Sequence, residues 1–196
     1  MKKVLMIAAM MIATLSANAQ NELGQITLKP MAGINLATMT KTDDSKMRVG
    51  LAAGIEAEYG LAEDFGVTAG VLYSMQGVKG KVSSVDITYK FDYINIPIMA
   101  NYYLFPGFAI KAGIQPGFKA SAKVTADSGS SSASESLKDY VKAFALSVPF
   151  GLSYEYQNFV LDARYNLGVT KAFKNDINTD SKHSWFTFTL GYKFAL

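Results

Sequence analysis

Residues 47–59 alternate between large apolar side chains and polar or small ones. Met47, Val49, Leu51, Ala53, Ile55, Ala57 and Tyr59 fall on one face of an extended chain, and Arg48, Gly50, Ala52, Gly54, Glu56 and Glu58 on the other. A period of two is the mark of a strand, because successive side chains point to opposite faces. The last residues repeat it: Phe186, Phe188, Leu190, Tyr192, Phe194 and Leu196 alternate with Thr187, Thr189, Gly191, Lys193 and Ala195. A soluble sandwich shows the same period but hides its apolar face. Here the apolar face is uniformly large, while the other mixes glycine, threonine and charge. That combination predicts a barrel whose apolar side meets lipid.

Eight such segments follow one another, at about 25–37, 47–59, 65–78, 87–104, 108–124, 140–156, 159–170 and 184–196. Each reaches the ~9–11 residues that a tilted strand needs to cross a bilayer. The connections alternate in length: 60–64, 105–107 and 157–158 are short, while 38–46, 79–86, 125–139 and 171–183 are long. Transmembrane barrels have short turns on the periplasmic rim and long loops outside. The predicted fold is therefore an all-β, eight-stranded antiparallel transmembrane β-barrel, with both termini on the short-turn side.

Aromatic residues gather at the strand ends. Tyr59, Phe65, Phe105, Phe108, Tyr154, Tyr156, Phe159, Tyr192 and Phe194 sit beside the short turns and are expected to form one interfacial girdle. Tyr89, Phe91, Tyr140, Phe173, Trp185 and Phe186 sit near the long loops and are expected to form the other. Pro30, Pro97, Pro116 and Pro149 fall inside strands, where each removes a ladder donor. The fourth segment reads as changing phase, with Tyr89, Phe91 and Tyr93 on one face and Ile94, Ile96 and Ile98 on the other. A β-bulge near Tyr93 would reconcile the two halves and relieve Pro97.

The N-terminus predicts export. Lys2 and Lys3 precede an apolar stretch of twelve residues, 4–15, and Ala17-Asn18-Ala19 is a small-x-small cleavage site. This is the pattern of a secretory signal peptide, and it is shorter than the ~20 residues of a spanning helix. Cleavage would leave residues 20–196 as one barrel domain, with seventeen basic and sixteen acidic residues. There is no cysteine, so neither a disulfide nor a lipid-modified cysteine holds the chain. The serine-rich stretch 128–136 reads as a mobile loop.

An eight-stranded barrel has an interior only wide enough for side chains or one small ligand. Inward positions toward the short-turn end are Lys29, Glu56, Glu58, Lys111, Glu155, Asp162, Arg164 and Lys193, four of each sign. Charges removed from water must be paired, so these eight are expected to form a neutral lumen network. The alternative is a proton or ion pathway. Toward the long-loop end thirteen basic residues face nine acidic ones, which would suit lipopolysaccharide phosphates or simply keep the loops soluble.

Candidate chemistry is sparse. His183 is the only histidine, and with Ser184 and Asp180 it has the parts of a hydrolytic triad. Adjacent strand residues point apart, so a polar surface histidine is the expectation. One histidine and no cysteine leave no metal cluster beyond an all-oxygen site. No phosphate-cradling loop and no nucleic-acid reader is present. No cofactor is expected.

Three stretches carry a family resemblance: the run Pro30-Met31-Ala32-Gly33-Ile34-Asn35-Leu36-Ala37, the segment Tyr93-Ile94-Asn95-Ile96-Pro97-Ile98, and the end Thr189-Leu190-Gly191-Tyr192-Lys193-Phe194-Ala195-Leu196. Together they resemble the PorT-like family of outer-membrane β-barrel proteins, small barrels similar in kind to OmpX and OmpA. The last stretch resembles the signal read by the barrel-assembly machinery, here ending in Leu instead of Phe. The resemblance implies an outer-membrane location, with members linked to secretion or of unknown role, and no catalytic residues. The expected role is non-enzymatic, structural or surface-interacting, with lipopolysaccharide and an unidentified protein at the outer loops as partners. The alternatives are a secretion accessory, a narrow pore and a lipid-modifying enzyme.

Overall fold

The computed structural model describes residues 23–39, 46–82, 85–127, 132–137, 139–171 and 182–196. The segment expected to direct export, 1–19, lies outside them, as do Phe173 and Asp180. Eleven strands follow in chain order: β1 Ile26–Met39, β2 Lys46–Ala62, β3 Phe65–Val82, β4 Val85–Asn95, β5 Ile98–Phe105, β6 Phe108–Asp127, β7 Ser132–Ser136, β8 Phe144–Tyr156, β9 Phe159–Gly168, β10 His183–Tyr192 and β11 Phe194–Ala195. Every pairing is antiparallel. β4 and β5 are two parts of one stave, β10 and β11 of another, and β7 lies outside the ring. The ring of eight staves closes where β1 pairs with β10 and β11. Closure leaves no open edge within the ring.

The faces are those of a barrel made for lipid. Leu51, Leu161 and Leu190 on the outside are 56–60% exposed, while inward Asn35, Glu56 and Asn101 are at most 1% exposed. Three short connections, Glu63-Asp64, Pro106-Gly107 and Gln157-Asn158, define one end. Gly107 and Gln157 take positive φ, +80° and +55°, to reverse the chain in two residues. Around this end Phe105 stacks on Phe108 at 4.8 Å, and Tyr192 meets Phe159 at 5.1 Å and Phe194 at 4.7 Å, all in the expected girdle.

The prolines interrupt bonds without moving the register. Pro97 and Pro116 lie on neighbouring staves at the gap between β4 and β5. There the Pro97 carbonyl still accepts Gly70 N, and the Pro116 carbonyl accepts Ile96 N. Pro30 lies opposite the gap between β10 and β11, where Asn158 Nδ2 donates to the Lys193 carbonyl at 3.0 Å. Pro149 lies in a gap of the β6–β8 ladder, between Ala112↔Phe150 and Gln115↔Ser147.

Four expectations are corrected. The fourth stave keeps one phase, with Phe91, Tyr93, Asn95, Pro97, Met99 and Asn101 all inward. The register does shift between Asp92 and Tyr93, but the extra residue, Ala120, belongs to β6. There the phase flips, so that Lys111 and Gln115 point inward below and Ala122 above. Phe91 and Trp185 therefore enter the lumen and not the outer girdle, although Tyr140 and Phe186 remain exposed. The connection expected at 79–86 is mostly strand, since the β3–β4 ladder runs up to Val82↔Val85. Finally, residues 132–136 of the expected mobile loop form β7 on the end of β6, where β8 has departed and backbone donors need a partner.

Candidate functional site

Alternation brings the eight inward charges into the short-turn half of the barrel. β1 carries Lys29, β2 carries Glu56 and Glu58, β6 carries Lys111, β8 carries Glu155, and β9 carries Asp162 and Arg164. Lys193 stands between β10 and β11. All eight are buried. Arg164 spans Glu56 and Asp162: its Nη1 reaches Glu56 Oε1 at 2.5 Å, its Nη2 reaches Glu56 Oε2 at 2.8 Å, and its Nε reaches Asp162 Oδ1 at 2.5 Å. Lys29 Nζ approaches Glu56 at 2.9 Å and Asp162 at 3.8 Å, and Lys111 Nζ donates to Asp162 at 2.8 Å. A second group lies closer to the short turns. Lys193 Nζ donates to Glu155 at 2.6 Å and stands 3.6 Å from Glu58, and Tyr103 Oη donates to Glu58 at 2.7 Å.

The first group holds three cations and two carboxylates, the second one cation and two carboxylates. Neutrality belongs to the two together. The guanidinium fork is suited to bidentate pairing with a carboxylate, and a buried ion pair is stable only when its remaining lone pairs and protons are met. Space comes from inward glycines on adjacent strands. A Cβ on Gly70 would stand 2.6 Å from Glu56 Cγ, one on Gly66 2.7 Å from Glu58 Oε1, and one on Gly191 2.8 Å from Lys29 Cγ. These glycines were the sequence signal that the long side chains lie across the lumen.

Above the charges lies a neutral belt that the sequence reading missed. Gln115 Nε2 donates to Asn166 Oδ1 at 3.3 Å, Asn166 Nδ2 to Thr187 Oγ1 at 3.0 Å, and Thr187 Oγ1 to Asn35 Oδ1 at 2.8 Å. Asn35 Nδ2 then donates to Ser74 Oγ at 2.9 Å, which also receives Gln76 Nε2 at 3.2 Å. The chain of amides and hydroxyls links β6, β9, β10, β1 and β3 across the lumen. Arg48 and Asn35 also bond backbone carbonyls of β3, Gln76 and Met75, beside the register shift between β2 and β3.

The long-connection end is different again. Val78, Phe91, Tyr93, Ala122 and Val141 form an apolar cluster inside the barrel. His183, expected on the surface, is 5% exposed and meets Phe91 and Tyr93 edge-on, with ring centroids 5.2 and 5.8 Å away. Neither of its ring nitrogens has a hydrogen-bond partner, and neither does Ser184 Oγ. They are not paired as nucleophile and base. Among the described residues no group of His, Asp or Glu is placed to hold a metal. Staves β3, β4 and β6 continue past the ring. β6 runs nine residues beyond Phe118, its last pair with β8, which is about 30 Å of strand. β7 covers the far side of β6, and among the described residues its own outer edge pairs with no strand.

Residues 18–174 match the family model of the outer membrane protein beta-barrel domain. Among solved structures, Ail, the attachment invasion locus protein of Yersinia pestis, aligns with a TM-score of 0.53 at 18% identity, covering 88% of this chain and 100% of that one. Ail in complex with the heparin analogue sucrose octasulfate aligns with a TM-score of 0.51 at 18% identity and the same coverage. Neisserial surface protein A aligns with a TM-score of 0.48 at 16% identity over 92% of this chain and 99% of that one. At these identities the likeness is one of fold. No curated protein sequence matches the chain.

Proposed function

The chain belongs to the outer membrane protein beta-barrel domain family, and from that premise we propose that it is a non-enzymatic surface-interaction barrel of the outer membrane, closed through its lumen and working through its outer extension. The observation that carries this reading is the sheet of β3, β4, β6 and β7 that leaves the ring at the long-connection end. Among the described residues the outer edge of β7 pairs with no strand, and such an edge offers backbone donors and acceptors to an added strand. Residues 133–136 are all exposed, so the edge is open. The lumen network of Lys29, Glu56, Glu58, Lys111, Glu155, Asp162, Arg164 and Lys193 serves as the structural plug. Lys79, Lys123, Lys171 and Lys182, exposed at the outer end, suit lipopolysaccharide phosphates. Residues 1–19 serve as the cleaved export signal, and the closing strand that ends in Leu196 is the segment presented to the assembly machinery. The runs 30–37, 93–98 and 189–196 support a PorT-like membership within that family.

The test is photo-crosslinking on intact cells, from a photoreactive residue at Ser134 on the β7 edge and at Ser153 in the lumen. Discrete protein adducts at Ser134 alone, abolished by Ser136→Pro, which removes an outward-facing N–H, support the reading. Adducts unchanged by Ser136→Pro, or none at Ser134, count against it.

A further inference from the structure

The outer wall of β3, β4 and β6 changes character as these strands leave the ring. Its outward positions end their apolar run at Tyr73, Ile94 and Phe118, which are 38–49% exposed and lie in one row. Met75, Asp92 and Ser121 make the next row. Beyond it come three lysines. Lys90 and Lys123 stand directly opposite each other, and Lys79 is one row further out, opposite Thr88. Thr88 pairs in turn with Thr125. Lys79 and Lys123 are exposed and Lys90 is half-buried.

Strand geometry sets their depth. Counted from Phe65 in the short-turn girdle, a rise of about 3.3 Å per residue and a tilt of about 35–45° put the Lys90–Lys123 pair about 30 Å up the barrel axis and Lys79 about 35 Å. The apolar band of such a barrel is ~25 Å tall, and headgroups add roughly 5–8 Å on each side of the hydrocarbon. The three side chains therefore leave the wall sideways at headgroup depth. Like charges directly opposite on a sheet destabilise it. Nothing in the described chain offsets this pair, since none of the three lysines has a hydrogen-bond or ion-pair partner among the described residues. Of the described carboxylates on this face, Asp92 is hydrogen-bonded by Tyr73 and lies in the field of Arg48. Asp127 stands two rows beyond Lys123, at the tip.

We propose that Lys79, Lys90 and Lys123 form a lateral site for the phosphorylated headgroup of one outer-leaflet lipid, with the hydroxyls of Thr88 and Thr125 as further donors. A phosphate ester carries up to two negative charges on three acceptor oxygens, which matches three ammonium donors. The site rests on the lipopolysaccharide reading above and sharpens it to one face, adding Lys90, which exposure alone does not pick out.

The experiment uses the full barrel refolded into phosphatidylcholine vesicles with a minor share of phosphatidic acid, a lipid phosphate monoester. After release into mild detergent, native mass spectrometry counts the lipids each barrel keeps. The expected result is one phosphatidic acid retained against the excess of phosphatidylcholine. Lys90→Gln combined with Lys123→Gln should cut the retained fraction at least fivefold, whereas Lys90→Arg combined with Lys123→Arg should keep it. Inorganic phosphate at the same concentration should not displace the lipid; complete displacement would assign the site to a soluble anion and overturn the proposal. Retention without preference for phosphatidic acid, or unchanged by the glutamine pair, overturns it too. The wild-type preference decides the matter even if the variants fail to fold. Preference for phosphatidic acid without Ser134 adducts on cells would sink the β7 reading and leave this site standing; adducts without the preference would do the reverse.

Discussion

The two ends of the lumen solve the burial of polar groups in opposite ways. Near the short turns all eight charged side chains have an opposite partner, at 2.5–3.8 Å. Toward the long connections Arg48, bonded to the Gln76 carbonyl, is the one buried charge among the described residues. The other buried groups there are uncharged or aromatic, and Tyr93, Asn95, His183 and Trp185 each keep an unpartnered polar atom. The lower end is a closed electrostatic network, in which losing one member strands another. The upper end is a packed apolar cluster over a small cavity with polar capacity to spare. Paired charge and unmet polar capacity are therefore separated along the barrel axis, with the neutral amide belt between them.

The largest expected effect breaks the lower network. Arg164→Ala leaves Glu56 and Asp162 without their shared guanidinium and should cost ~3–5 kcal/mol in unfolding from lipid vesicles. Next comes the outer wall, which must be blind to this difference. Leu51→Arg and Leu190→Arg should each cost ~2–4 kcal/mol near the bilayer midplane by the same measurement. If both were harmless in lipid, the assignment of inner and outer faces would be wrong.

A third substitution tests the belt. Thr187→Val keeps the shape but removes the link between Asn166 and Asn35, leaving a buried acceptor unmet, and should cost ~1–3 kcal/mol. The upper end should respond least. Trp185→Phe removes an N–H that has no protein partner and keeps an aromatic ring, so the loss should stay under ~1.5 kcal/mol. An equal loss from Trp185→Phe and Arg164→Ala would erase the distinction between the ends. Lys79→Ala, at the exposed outer end, should change stability by less than ~1 kcal/mol.

The ring and the charges were readable because both follow from a period of two that is local to each strand. Lys29, Glu56 and Arg164 needed only the alternation around them to be placed inside. The upper lumen was not readable this way. Whether Phe91 and Trp185 face lipid or lumen depends on the phase at a strand end, and aromatics are common on both sides of an interface. The phase change assigned to the fourth strand belongs to its neighbour, through Ala120 of β6. A bulge is a property of a pair of strands, and one strand's sequence does not locate it. Ser132–Ser136 lacks strand-forming residues and is extended because β6 offers it an unpaired edge. His183 was misplaced because a loop and the first residue of a strand look alike until pairing with Met39 puts it inside. Asn35, Gln115, Asn166 and Thr187 sat at inward positions, but polar neutral residues carry no sign by which to match partners across the lumen.

The central claim is that paired charges close the lower lumen. Single-channel recording from the purified barrel in planar bilayers tests it most directly. The account predicts almost no ion conductance for the wild type, and openings only once Arg164→Ala has broken the network. Steady, large conductance in the wild type, unchanged in Arg164→Ala, would show that these residues line a pore.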